Sequence, residues 1–121
     1  MILGLRTAIY PVPDLAAGKE WYSRALERVP YFDAPFYVGF SVGGFELGLI
    51  PDGQPGTAGV RAYWGAPDAE KELARLVTLG AVVSEVLQEV GGGIRVAAVT
   101  DPFGNVFGVI ENPNFKPGDV Q

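Results

Sequence analysis

TDPFGNVFGVIENPNF (residues 100–115) decides how this chain is read. Asp-Pro-Phe-Gly is a turn in which Pro102 presets its own φ and Gly104 accepts backbone conformations that side chains resist. NVFGVIE (105–111) has the β-branched and aromatic character of a strand, and Asn112-Pro113 ends it. Working back, IRVAAVT (94–100) and AVVSEVLQEV (81–90) are two further strands. Ahead of them Asp68 is an N-cap for AEKELARLVTLG, whose Leu73, Leu76 and Val77 make one apolar side and whose Gly80 is a C-cap. GVRAYWGA (59–66) opens this half as another strand.

The same order stands in the first half. LRTAIYPV (5–12) is a strand, Asp14 an N-cap, and LAAGKEWYSRALE a helix that packs through Leu15, Trp21, Tyr22, Ala25 and Leu26. FYVGFSV (36–42) and FELGLI (45–50) flank Gly43-Gly44, a two-residue connection suited to a tight hairpin. Pro13-Asp14 lies 54 residues before Pro67-Asp68, and that offset lays Thr7 on Arg61. FELGLIPD and VFGVIENP match when Gly48 is laid on Gly108. Two copies are too few for a solenoid, so the repeat predicts a duplicated βαβββ module. Module 1 spans 1–52, a linker 53–58, module 2 59–114 and a tail 115–121 to which no function is assigned.

Composition limits the partners. A chain of 121 residues, 48% of them hydrophobic, makes one domain. Nine basic against 14 acidic residues leave a net charge of −5 with no basic cluster, which argues against nucleic acid and anionic membranes. The opening MILGLRTAIYPVPD lacks a basic flank and is broken by Pro11 and Pro13, so it reads as a strand rather than a signal. No apolar run is long enough to span a membrane, and the expected location is the cytoplasm. Zero Cys excludes disulfides and thiolate chemistry, and zero His removes the commonest general base and transition-metal ligand. No cofactor is expected.

VPDLAAGKEWYSRAL, APDAEKELARLVTLGA and above all DPFGNVFGVIENP resemble the glyoxalase / bleomycin-resistance / extradiol-dioxygenase superfamily, the vicinal oxygen chelate proteins, over nearly the whole chain. The resemblance implies an α+β fold in which two tandem βαβββ modules form a curved, half-open mixed-sheet barrel around a cavity, commonly as a homodimer. In metal-bearing relatives four inward positions carry His or Glu. Here they fall on Thr7, Gly48, Arg61 and Gly108. Two glycines, a threonine and a guanidinium do not make a metal site, and metal-dependent glyoxalase or dioxygenase chemistry is not expected.

Strand alternation places Leu5 and Ile9 beside Thr7, Glu46 and Ile50 beside Gly48, Tyr63 beside Arg61, and Val106 and Ile110 beside Gly108. Strand 36–42 adds either Phe36, Val38 and Phe40 or Tyr37, Gly39 and Ser41. The predicted ligand-binding set is Thr7, Ile9, Phe40, Glu46, Gly48, Arg61, Tyr63 and Gly108, an apolar and aromatic cup widened at the glycines. Arg61 either meets a ligand or pairs with Glu46 or another acid. Glu111 caps the strand end on the outward face. Gly91-Gly92-Gly93 lacks the Lys and the following helix of a phosphate loop, and is read as a loop at the cavity edge.

Three functions fit. The first is a metal-free protein that binds or sequesters a small, partly aromatic molecule, which an acidic chain favours if the ligand is cationic. The second is a metal-independent lyase or isomerase in which Arg61 binds an anion and Glu46 or Tyr63 moves a proton. The third is a dimerising structural or regulatory module with a filled cavity.

Overall fold

The computed structural model describes residues 1, 3, 6–58 and 61–114. Leu5, the Gly59-Val60 start of the expected fifth strand and the tail 115–121 lie outside them. The elements run β1 (Thr7–Pro11), α1 (Leu15–Leu26), β2 (Phe32–Ala34), β3 (Tyr37–Val42), β4 (Phe45–Ile50), β5 (Tyr63–Gly65), α2 (Ala69–Thr78), β6 (Val82–Glu89), β7 (Arg95–Thr100) and β8 (Val106–Glu111). This is βαβββ twice, an α+β chain. The strand orders are β1-β4-β3-β2 and β5-β8-β7-β6. Each sheet is mixed, with its first strand parallel to its last and the other pairs antiparallel. Each is also open, so neither closes into a barrel by itself.

Register bears out the internal repeat. Ile9 pairs with Gly48 in the first sheet and Tyr63 pairs with Gly108 in the second, the residues that the two offsets superimpose. The chain divides into two compact units. One takes Met1–Gly56 with Phe103–Asn105; the other takes Thr57–Pro102 and the residues from Val106 on.

In the first unit Asp14 accepts the backbone N–H of Ala17 at 3.1 Å and so starts α1. The helix ends at Leu26, one residue earlier than expected, because Glu27 turns into the left-handed region at φ 56. Val38, Phe40, Leu47 and Leu49 are fully buried on one sheet face, each worth roughly 1.5–3 kcal/mol in apolar burial. Tyr10, in register with Leu49, meets Tyr22 of α1 edge-on at 5.7 Å, which identifies this as the helix-covered face. Gly43 and Gly44 both take positive φ, 58 and 88, and close the β3–β4 hairpin. From the quoted turn, Asn105 is 5% exposed; its Nδ2 donates to the Pro11 carbonyl at 2.8 Å and its Oδ1 accepts from the Gly56 N–H at 3.3 Å.

In the second unit Asp68 accepts the N–H of Lys71 at 3.1 Å and starts α2. Gly80 donates to Val77 and Ala81 to Leu76, a Schellman closure with Gly80 at φ 99. Ala97, Val99, Phe107 and Val109 are buried together on the face toward α2. Gly91-Gly92-Gly93, all at positive φ, form the tight β6–β7 turn, in which Val90 donates to Ile94.

Candidate functional site

The first sheet has a second face, turned away from α1. Register puts Thr7 and Ile9 of β1, Glu46 and Gly48 of β4, Gly39 and Ser41 of β3 and Phe32 of β2 on it. Gly39 and Gly48 are direct neighbours and leave a bare patch of backbone. Tyrosine rings cover it: a Cβ on Gly48 would overlap the Tyr37 hydroxyl and come within 2.6 Å of Tyr37 Cζ, and a Cβ on Gly39 would come within 3.1 Å of Tyr31 Cε1. An aromatic ring laid across a strand glycine restores the packing that the missing side chain forgoes.

Both hydroxyls then reach Glu46. Tyr37 Oη donates to Oε1 at 2.6 Å, Thr7 Oγ1 donates to the same oxygen at 2.9 Å, and the Tyr31 hydroxyl donates to Oε2. Hydrogen bonds from Tyr31 and Tyr37, against the opposing effect of burial, hold the Glu46 carboxyl below its ordinary value. The carboxylate pushes the phenols the other way. Tyr31 is raised chiefly by its bond to Glu46, and Tyr37 by burial and then by the same carboxylate. Among the described residues no Lys or Arg reaches Glu46. Aromatic surface continues outward, with Phe32 centred 6.2 Å from Phe36 and 6.1 Å from Tyr37. Tyr31, Phe32 and Phe36 are 63%, 44% and 68% exposed.

The second unit carries a related but different cluster. Tyr63 lies against Gly108, where a Cβ would come within 2.6 Å of the ring and 2.8 Å of the Ala62 carbonyl oxygen. Its hydroxyl donates to Glu85 at 2.9 Å, and Arg61 Nη1 sits 3.0 Å from Glu85 Oε2. Burial, then the Glu85 carboxylate, raises the Tyr63 phenol, and Arg61 opposes that rise. This carboxylate has its own counter-charge.

Of the predicted residues, Thr7, Ile9, Glu46 and Gly48 share one face, and Arg61 and Tyr63 meet each other beside Gly108. Phe40 is a correction. It is opposite Leu47 and fully buried on the α1 face, so the alternate parity of β3, with Tyr37 and Gly39, faces Glu46. The widening expected at the glycines is also corrected, because Tyr37 and Tyr63 fill that space. Arg61 pairs with Glu85, not Glu46. Glu111 lies off the Gly108 face as expected, but it caps α2: its Oε1 accepts the Ala69 N–H at 3.0 Å and Arg95 at 2.7 Å. Tyr31 and Glu85 escaped the sequence reading altogether.

The four positions that hold metal in relatives do not fit an ion here. The Thr7 hydroxyl is engaged by Glu46, Arg61 is a cation bound to Glu85, and tyrosine rings cover both glycines. Among the described residues no group of three or more Asp or Glu side chains is placed to hold a metal ion; the three acids that do gather, Asp68, Glu70 and Glu111, surround Arg95. A shallow hollow of about 430 Å3 lies elsewhere, lined by Leu15, Lys19, Asp33, Pro35 and Val38. Its charged groups, Lys19 and Asp33, neutralise each other at 3.0 Å, whereas the Glu46 carboxylate has no counter-charge among the described residues and stands beside exposed rings, which makes the Glu46 face the better candidate. No described helix is long and apolar enough to cross a membrane.

The fold and the family agree. A glyoxalase-related enzyme from Fulvimarina pelagi superimposes with a TM-score of 0.78 at 17% identity, covering 98% of this chain and 94% of that one. A lactoylglutathione lyase from Agrobacterium tumefaciens gives 0.72 at 18% identity over 91% and 94%. A glyoxalase/bleomycin resistance protein/dioxygenase superfamily member from Sphaerobacter thermophilus gives 0.73 at 20% identity over 93% and 99%. At these identities the likeness is one of fold. No curated protein matches the sequence. The glyoxalase-like domain family matches residues 7–110, and on that match the chain belongs to it.

Proposed function

We propose that the chain binds a small, partly aromatic organic molecule on the Glu46 face of its first sheet, in the way of a drug-binding or sequestering protein and without metal chemistry. The observation that carries this is the meeting of the Glu46 carboxylate with the rings of Tyr31, Tyr37 and Phe32 at one sheet face, with the exposed Phe36 ring adjoining Phe32. Tyr31, Phe32 and Phe36 are large rings left open to solvent, and exposed apolar surface gathered beside polar groups is a mark of interaction sites. Homodimerisation and a cytoplasmic location belong to the same reading.

The lyase or isomerase alternative finds less support. Arg61 and Tyr63 are both bound to Glu85, and the bonds that hold Glu46 ionised make it a weaker base at neutral pH.

Calorimetric titration with a panel of planar aromatic compounds tests the proposal. Dissociation constants in the micromolar range for at least one compound, weakened in Phe36→Ala, support it. No heat of binding from any compound at millimolar concentration contradicts it.

A further inference from the structure

The Glu46 face also specifies what kind of molecule suits it, an inference that rests on the binding role proposed above. Three hydroxyl donors point inward at one carboxylate: Thr7 and Tyr37 to Oε1, Tyr31 to Oε2. A carboxylate offers about four acceptor sites, so little of its capacity remains for a ligand's N–H groups. Its charge is another matter, because no cation among the described residues neutralises it. The phenol protons are engaged by Glu46, so what Tyr31 and Tyr37 turn outward is oxygen lone pairs and ring faces. Phe32 and Phe36 add further ring surface, inclined at 64° to each other, and Phe32 and Tyr37 are inclined at 59°. The carboxylate, the phenol oxygens and the ring faces are negative, and beyond the Ser41 hydroxyl, which register sets opposite Glu46, these groups present no spare donor.

We infer that the ligand is an organic cation without N–H donors: a quaternary ammonium or an N-alkylated aromatic ring. A permanent cation of low hydration is attracted by ring faces and by an unneutralised carboxylate, and it asks for no hydrogen bonds in return. A primary ammonium loses water from three donors and finds few acceptors to replace it. Anions are repelled, and a neutral aromatic keeps only the apolar contact.

Three bicyclic probes separate these outcomes at neutral pH and low salt: N-methylquinolinium, neutral quinoline, and 1-naphthylmethylammonium. N-methylquinolinium is expected to bind at least about tenfold tighter than quinoline, and about threefold or more tighter than the primary ammonium. Glu46→Gln, which preserves shape and one of the two acceptor oxygens while removing the charge, removes most of the advantage over quinoline. Phe36→Ala, at an exposed ring that the fold does not need, weakens N-methylquinolinium severalfold. If quinoline binds as tightly as N-methylquinolinium, the cation inference fails while the aromatic binding site stands. Tighter binding of 1-naphthylmethylammonium overturns the absence of N–H donors. If no probe binds, both this inference and the binding role fall together.

Discussion

The two halves of the chain share a backbone plan and differ in how they treat one negative charge. In the first unit a tyrosine lies over Gly48 and in the second another lies over Gly108, and both deliver a hydroxyl to a carboxylate. The carboxylates come from different strands. Glu46 stands on β4, surrounded by hydroxyls alone, whereas Glu85 stands on edge strand β6 and takes Arg61 as its partner. A hydroxyl shell holds a carboxylate in place and keeps it ionised without cancelling its charge, so the field of Glu46 extends to solvent. The Arg61–Glu85 pair is closer to neutral from outside. A duplicated fold thus offers one electrostatically open face and one closed face, and the ligand binding proposed above is assigned to the open one.

The largest effect separating the units is expected from alanine at the two glycines. Gly108→Ala places Cβ against the Ala62 carbonyl as well as the Tyr63 ring; backbone cannot step aside, and urea unfolding is expected to report a loss of about 3 kcal/mol. Gly48→Ala meets only the far end of Tyr37, which swings away at the cost of its bond to Glu46, or about 1–2 kcal/mol. Equal losses would mean that the two tyrosines are equally fixed.

Truncating the carboxylates comes next. Glu46→Ala leaves the half-buried Tyr37 hydroxyl without its acceptor and is expected to cost about 1 kcal/mol. Glu85→Ala removes a pair in which the Arg61 side chain is 49% exposed, and about 0.5 kcal/mol is the expected loss. Thermal melts at low and high salt should also separate them: salt weakens the contribution of Glu85 and leaves that of Glu46 nearly unchanged.

Smaller is the response of the Glu46 cluster to pH. Glu46 is depressed below the ordinary value of 4.5 in the folded state, so its stabilisation is present above that value and fades as pH falls through the lower folded one. The stability difference between the parent chain and Glu46→Gln should therefore shrink as pH drops below about 4.5. Tyr31 and Tyr37 are raised above 10.0, so their contribution is complete below 10.0 and is lost as pH rises through their folded values. Ultraviolet titration should find these phenols ionising earlier in Glu46→Gln; unchanged curves would mean that the carboxylate does not govern them.

The fold was readable because its signals are local and repeat. Asp14 and Asp68 cap helices, Gly43-Gly44 closes a hairpin, and the spacing from Ile9 to Tyr63 and from Gly48 to Gly108 survives as register. The Glu46 face was readable in part, since β1 and β4 alternate cleanly. Strand β3 misled because YVGFSV offers an aromatic residue on either parity; Gly39, opposite Gly48, was the mark of the open face, and the pairing of Phe40 with Leu47 buried it instead. Glu85 was hidden by β6, whose register shifts between Val83 and Glu85 and again between Glu85 and Gln88, so alternation no longer tells which face a residue takes. Tyr31 precedes a three-residue strand and acts through its length, which periodicity does not register.

Amide chemical-shift mapping by nuclear magnetic resonance during titration with N-methylquinolinium tests the central claim most directly. The account predicts saturable shifts at Thr7, Ile9, Gly39 and Gly48, with the signals of Tyr63, Glu85 and Gly108 unmoved. Shifts centred on Tyr63 and Glu85, or no saturable shift anywhere, would contradict it.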